Sequence, residues 1–256
     1  MPHDHRLAIG YGSAWHLLRL LGWQRERFNT QIANGLGVQG LDPKSISWLD
    51  FPSAIEQRTY SFNTPIRDEE WKRIAFINDK QVQSEYDNFW PSRGAQQSWD
   101  AIGHVTINGQ KEWLLVEAKG HLGEIKTDGT SAKEEGGRPR IRAAFKETLI
   151  SLRKSDPEAT TLAEEWLTGY YQHANRLATL HFLTAQKIPA RLIFLYFCGD
   201  QHPKPGVDCP ADPAGWKDAI DAIHESLGLG GVSELKSRVH EVFIPVDPAH
   251  PGFRND

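Results

Sequence analysis

The chain of 256 residues is poor in cysteine, with only Cys198 and Cys209. Two thiols cannot staple a fold of this size, so no disulfide framework is expected, and Cys198, ending an apolar run, reads as a buried thiol. Long apolar runs are missing too. The longest, Leu192 to Cys198, is about a third of the ~20 residues that a membrane-spanning helix needs. Residues Met1 to Arg6 lack the basic region, apolar core and small-residue cleavage site of a signal peptide, so the cytoplasm is the expected location. An excess of positive charge is also lacking: 29 Lys and Arg against 33 Asp and Glu leave a net charge of -4. That excludes a histone-like protein holding nucleic acid by bulk charge, but a local basic patch or a bound metal would still admit such a substrate.

Aromatic residues are plentiful. Nine Trp, eleven Phe and six Tyr are too many for a solvated coil and imply a well-buried core. There is no repeat of fixed period and no low-complexity tract. Ser13 to about Asn34 reads as one amphipathic helix with Ser13 as N-cap, followed by an irregular Gly-, Pro- and Ser-rich stretch to about Pro65. A helix is expected from Arg67 to about Asp79, its first turn carrying Asp68, Glu69 and Glu70, and a short strand near Asn88–Pro91. After Lys119 comes a charged, Gly-rich loop, then a basic helix from Arg138 to about Lys154 and a long helix from Asp156 to about Gln186. A buried strand at Arg191–Phe197, a helix at about Gly215–Leu227 and a strand at Val239–Val246 complete the order. The expectation is a single α/β domain over residues 1–256, a mixed β-sheet flanked by helices.

Several familiar motifs fail on context. Gly35-Leu-Gly37-Val-Gln-Gly40 has dinucleotide-binding spacing, but it follows a helix, and Pro43 prevents a helix from opening behind it. No Gly-Lys pair exists for a phosphate-binding loop, and no Gly-x-Ser-x-Gly elbow for a hydrolase. Cys198, His202 and Cys209 lack a fourth zinc ligand at sensible spacing.

The clearest local signal is Asn108-Gly109 between two strand-like runs, residues 99–107 and 110–119. Both turn residues tolerate the positive φ of a type I′ hairpin. In a two-residue hairpin, facing positions sum to 217, so Ala101 faces Val116 and Asp100 faces Glu117. Side chains alternate between faces, which puts Lys119 on the side of Glu117. Opposed like charges are unfavourable unless something offsets them, and a divalent cation that prefers oxygen ligands does so. The Ala118 carbonyl is a natural extra ligand. The bare pattern acid-x-Lys occurs five times, at Asp42, Glu70, Glu117, Glu124 and Glu234, but only the Glu117 copy ends an apolar strand whose hairpin partner offers an Asp at the matching rung.

Asp100 with Glu117-Ala118-Lys119 on adjacent strands resembles the PD-(D/E)XK, or restriction-endonuclease-like, nucleases. Trp99 stands where the family pattern has Pro. The resemblance covers about residues 67–198 and implies a core of helix, three-stranded antiparallel meander, helix and parallel strand. It implies that Asp100 and Glu117, with Ala118, bind Mg or Mn, and that Lys119 is the catalytic lysine. It further implies a phosphodiesterase acting on nucleic acid, with DNA the expected partner. Many members add an acid from the preceding helix, for which Glu70 and Glu85 are candidates. Gln172 is a candidate supporting residue on the long helix. It belongs to a polar stripe with Asn175, Arg176 and Thr179 that otherwise reads as that helix's solvated side.

Other readings stay open. The alternative for Asp100, Glu117 and Lys119 is solvated charges at a hairpin end, against which stands the apolar run Leu114-Leu115-Val116 on both faces of the strand. The protein could also be a non-catalytic nucleic-acid-binding or accessory protein on the same fold, or, more remotely, a small-molecule enzyme with an apolar pocket elsewhere.

Overall fold

The computed structural model describes residues 10–49, 70–94 and 96–246. Helices α1 (Ser13–Trp23) and α2 (Arg25–Gly35) come first, then strand β1 (Ile46–Trp48). Strand β2 (Trp71–Lys72), helix α3 (Lys80–Phe89) and strand β3 (Ser98–Trp99) precede the hairpin of β4 (Ala101–Ile107) and β5 (Gln110–Lys119). Helices α4 (Arg138–Ser151), α5 (Asp156–Glu165) and α6 (Tyr171–Ala185) lead to strand β6 (Ala190–Cys198), and α7 (Pro213–Ser226) leads to β7 (Val239–Pro245).

The architecture is α/β with a mixed five-stranded sheet in the order β1-β4-β5-β6-β7, plus a two-stranded β2-β3 ribbon. The β1-β4 and β4-β5 pairs are antiparallel, and β5-β6 and β6-β7 are parallel. Helices cover both faces. Leu114, Val116 and Ala118 of β5 pack with Leu17, Leu20, Phe28 and Ile32 of α1 and α2. Leu115 turns the other way, into the larger cluster with Phe145 of α4, Leu177 of α6 and Trp216 of α7. A large apolar side chain fully buried in such a cluster contributes roughly 1.5–3 kcal/mol. Strand β5 is thus central and covered on both sides, as its unbroken apolar run implied. Among the described residues, no helix is long and apolar enough to cross a membrane.

The hairpin forms in the expected register, with Ala101 opposite Val116 and Ile107 opposite Gln110. Asn108 at φ 51° and Gly109 at φ 77° make the turn, which needs positive φ at both positions.

Elsewhere the structure departs from expectation for identifiable reasons. The first helix is two, broken at Gln24, and its N-cap is Gly12, which frees Ser13 Oγ to donate to Glu124 Oε1 (3.4 Å). The stretch read as irregular contains β1, and its residues 50–65 lie outside those described. In the segment expected to be a helix from Arg67, residues 67–69 lie outside the described residues, and the rest is β2 followed by a turn. Trp71 pairs with Trp99, and the Trp99 indole donates to the Arg73 carbonyl (2.7 Å), which holds the chain extended. The helix starts later because Asp79 is its true N-cap, accepting from the N–H groups of Gln81 and Val82. The strand expected near Phe89 is the end of α3. The long helix is two, α5 and α6, parted at residues 166–170, where Gly169 has positive φ.

Candidate active site

The C-terminal ends of parallel strands in an open sheet are where α/β folds place ligands. Here a cleft of about 350 Å³ opens at the end of β5, lined by Asp100, Glu117, Ala118, Lys119, Glu70 and Glu124, with Gln172 and Arg176 from α6. Its remaining wall includes Ser13 and Ala14 at the start of α1 and Lys126 and Thr127 beyond the 3-10 turn Leu122–Glu124.

Glu117 and Lys119 are two residues apart on β5 and so share the face turned toward α6. Lys119 Nζ donates to Glu117 Oε1 (2.7 Å) and to Gln172 Oε1 (3.0 Å). Arg176 grips the other oxygen, with Nε and Nη2 donating to Glu117 Oε2 at 2.8 and 2.6 Å. Asp100 flanks the hairpin's last rung: its backbone N–H donates to the Val116 carbonyl (3.2 Å), and its Oδ2 accepts from the Ala118 N–H (2.6 Å). These are not solvated hairpin-end charges, since Glu117 is 3% and Lys119 5% exposed.

The electrostatics of the two carboxylates diverge. Burial and then the Glu117 charge push the Asp100 carboxyl well above the ordinary carboxylate range. Burial would also raise Glu117, but Arg176 and Lys119 outweigh it and hold that carboxyl down at about 2. Burial alone would lower Lys119; the charges of Glu117, Glu124 and Asp100 prevail and raise it, so its side chain is an ammonium and not a base.

The other expected residues divide. Glu70 reaches the cleft and accepts from Ser98 Oγ. Glu85 is not among the residues lining the cleft: it lies half-buried on α3, accepting from Gln81 Nε2 one turn earlier (3.0 Å). Gln172 meets Lys119 as expected of a supporting residue. The rest of its stripe is not solvated: Asn175, Arg176 and Thr179 are buried against the sheet, and Thr179 bonds Tyr86 across to α3 (3.0 Å). Arg176 is the main residue that sequence reasoning undervalued, reading it with its stripe as the solvated side of the helix. Its signal was the four-residue step from Gln172, which places both on the same helix face. Glu124 is the second; its Oε2 accepts from the Gly120 N–H (2.6 Å), fixed by a tight turn that the Gly-rich loop concealed. On the basic helix α4, Arg138 and Arg142 pair with Glu134, Lys146 with Asp156 and Arg142 also with Glu164, while Arg140 donates to the Asp87 backbone carbonyl (2.8 Å).

A hard divalent cation of the Mg²⁺ type takes one or two carboxylates and keeps several waters. Asp100 and Glu117, which line a polar cleft, supply that donor set, and the repulsion from Glu117 that adds to burial in raising Asp100 is what such a cation offsets. The residues fit such an ion as a site with few protein ligands. Among the described residues, no group of three or more His, Cys, Asp or Glu side chains is arranged to hold a metal.

In comparison with known proteins, no family model matches the chain, and no curated protein or solved structure matches it.

Proposed function

We propose that the cleft is the active site of a divalent-metal-dependent nuclease that hydrolyses phosphodiester bonds, with DNA as its substrate. The observation that carries this reading is the meeting of Asp100, Glu117 and Lys119 at the open end of the central strand, with Gln172 holding the lysine. The element order supports a restriction-endonuclease-like core. The helices α1 and α2, the antiparallel strands β1, β4 and β5, then α6 and the parallel strand β6 follow that family's sequence of elements. In this reading the first helix and strand come from residues 13–48 and not from the segment after residue 67.

Asp100 and Glu117, with the Ala118 carbonyl, would hold Mg²⁺ or Mn²⁺. When bound, such an ion polarises the phosphoryl group and makes its water a stronger nucleophile. Lys119 contributes a fixed ammonium beside the scissile phosphate, where it offsets the charge that develops on the phosphoryl oxygens. Gln172 keeps that ammonium aimed into the cleft. Glu70 and Glu124, which also line the cleft, orient water there.

A second reading, a nucleic-acid-binding or accessory protein without catalysis, is favoured by one observation. Both oxygens of Glu117 are already engaged by cations of the chain.

Calorimetric titration of Mn²⁺ into wild-type protein and the Asp100→Asn variant separates the two. The nuclease reading expects a single site per chain that is lost in the variant. Absence of binding in both, with an oligonucleotide present as well, would leave the binding protein as the better account.

A further inference from the structure

We propose that Arg176 is a resident counter-cation of the metal site, which must let go of Glu117 before that carboxylate can ligate a divalent ion. The inference rests on the nuclease reading and deepens it by naming what regulates metal entry.

The argument begins with charge. Asp100 and Glu117 carry two negative charges when ionised, and Lys119 and Arg176 carry two positive ones. The inner group is therefore balanced by the chain's own side chains. A carboxylate as buried as Glu117 is costly unless it is paired and hydrogen-bonded. Arg176 meets that need with a two-pronged grip on Oε2, at 2.8 and 2.6 Å, and is itself only 5% exposed. This lets the carboxylate fold into place without metal. The same grip occupies the oxygen that a cation would need, and a further double positive charge beside a guanidinium is strongly repelled.

Geometry gives the guanidinium somewhere to go. It stacks on the Trp99 ring, 4.9 Å from the centroid, and its Nη1 donates to Asn175 Oδ1 (2.6 Å). Neither contact involves Glu117, so both remain available to hold the guanidinium when it releases the carboxylate. Lys119 differs in this respect. Its second partner is Gln172, and its ammonium can stay on Oε1 while Oε2 is exchanged.

The test is Mn²⁺ titration by calorimetry into wild-type, Arg176→Met and Arg176→Lys proteins, with Asp100→Asn as the arm that identifies the site. Removing the competing guanidinium should tighten Mn²⁺ binding by about tenfold or more in Arg176→Met, with Arg176→Lys in between. An Asp100-dependent site whose affinity is unchanged or weaker in Arg176→Met would overturn the inference and leave the nuclease reading standing. A wild-type protein with no Asp100-dependent site would overturn both. Because removal of a buried arginine can unfold the chain, a second measurement uses the wild-type protein alone. The Arg176 Nε–H resonance, assigned by its absence from the Arg176→Lys spectrum, should shift when Mg²⁺ saturates the site. A resonance unmoved through saturation would overturn the inference.

Discussion

Asp100 and Glu117 lie at the same end of one hairpin and respond in opposite ways to their surroundings, because Lys119 and Arg176 both grip Glu117, whereas for Asp100 burial and the Glu117 charge outweigh the Ala118 N–H that it accepts from. The consequences for stability have opposite signs. Glu117 is held below its ordinary value of 4.5, at about 2, so its stabilising contribution is present above pH 4.5 and is lost as pH falls toward 2. Asp100 is raised above its ordinary 3.8, so it favours the fold when protonated, and that contribution is lost as pH rises through its folded value. Glu117→Gln should therefore cost roughly 3–5 kcal/mol at pH 7, because it leaves buried cations unpaired. Asp100→Asn should raise the melting temperature at pH 7 by roughly 2–4 °C, with the gain gone below pH 4. Urea and thermal unfolding of the two variants check this, and equal destabilisation by both would contradict it.

His173 offers a second residue-scale check. It is fully buried behind the site, its ring tilted against Phe194 with centroids 4.7 Å apart, and neither ring nitrogen meets a partner among the described residues. Burial, with the charge of Lys119 adding to it, lowers this imidazole from 6.5 to about 3. The native state thus keeps His173 neutral while the unfolded chain protonates it. Stability should fall as pH drops below 6.5, by about 1.4 kcal/mol per pH unit for this one proton. His173→Leu should flatten that slope between pH 6 and 4, and an unaltered slope would show that the ring is solvated.

At the scale of elements, the legible parts were those fixed by local chemistry. Asn108-Gly109 announces the hairpin because its backbone requirement is met within two residues, and the register then brings Asp100 and Glu117, each next to the last paired rung of Ala101 and Val116, to the same end. The strands β6 and β7 and the helix α7 were readable for a similar reason, as apolar runs or periodic stripes between breakers. The helix expected at Arg67 was not, because pairing of Trp71 with Trp99 is a long-range event that overrides an acidic first turn. The break between α5 and α6 is also non-local. The N–H groups of Thr127 and Thr130 bond the carbonyls of Gly169 and Leu167, so the loop after Lys119 is pinned to the end of one helix and the start of the next. Gly129 makes that approach possible. It has φ +83°, and a Cβ there would press into the Leu167 carbonyl oxygen. Gly129→Ala should therefore destabilise by about 1–3 kcal/mol. Gly136→Ala, where the nearest atom would be 3.6 Å away, should change little. Thermal melts of the two variants test the pinning, and similar behaviour would refute it.

Across the whole molecule, the acidic balance and the basic helix resolve into one picture. Of the cations of α4, Arg138, Arg142 and Lys146 pair with Glu134, Glu164 and Asp156, and the cations that line the cleft are Lys119, Lys126 and Arg176. They stand among Glu70, Asp100, Glu117 and Glu124, so the cleft brings charges of both signs together at the strand end. Net charge could not show this, since it sums over the chain and carries no position. Burial of the α6 polar face was equally hidden, because a polar stripe that closes over a site reads like one that faces water.

The account's central claim is that this cleft hydrolyses phosphodiesters with a metal held by Asp100 and Glu117 and charge supplied by Lys119. The most direct measurement follows cleavage of end-labelled single- and double-stranded DNA by wild-type protein and Lys119→Ala, each with Mn²⁺ and with a chelator. The account predicts cleavage by the wild-type protein with Mn²⁺, none with the chelator, and a loss of at least about a hundredfold in Lys119→Ala without loss of fold. Cleavage that survives both the chelator and the substitution would contradict it.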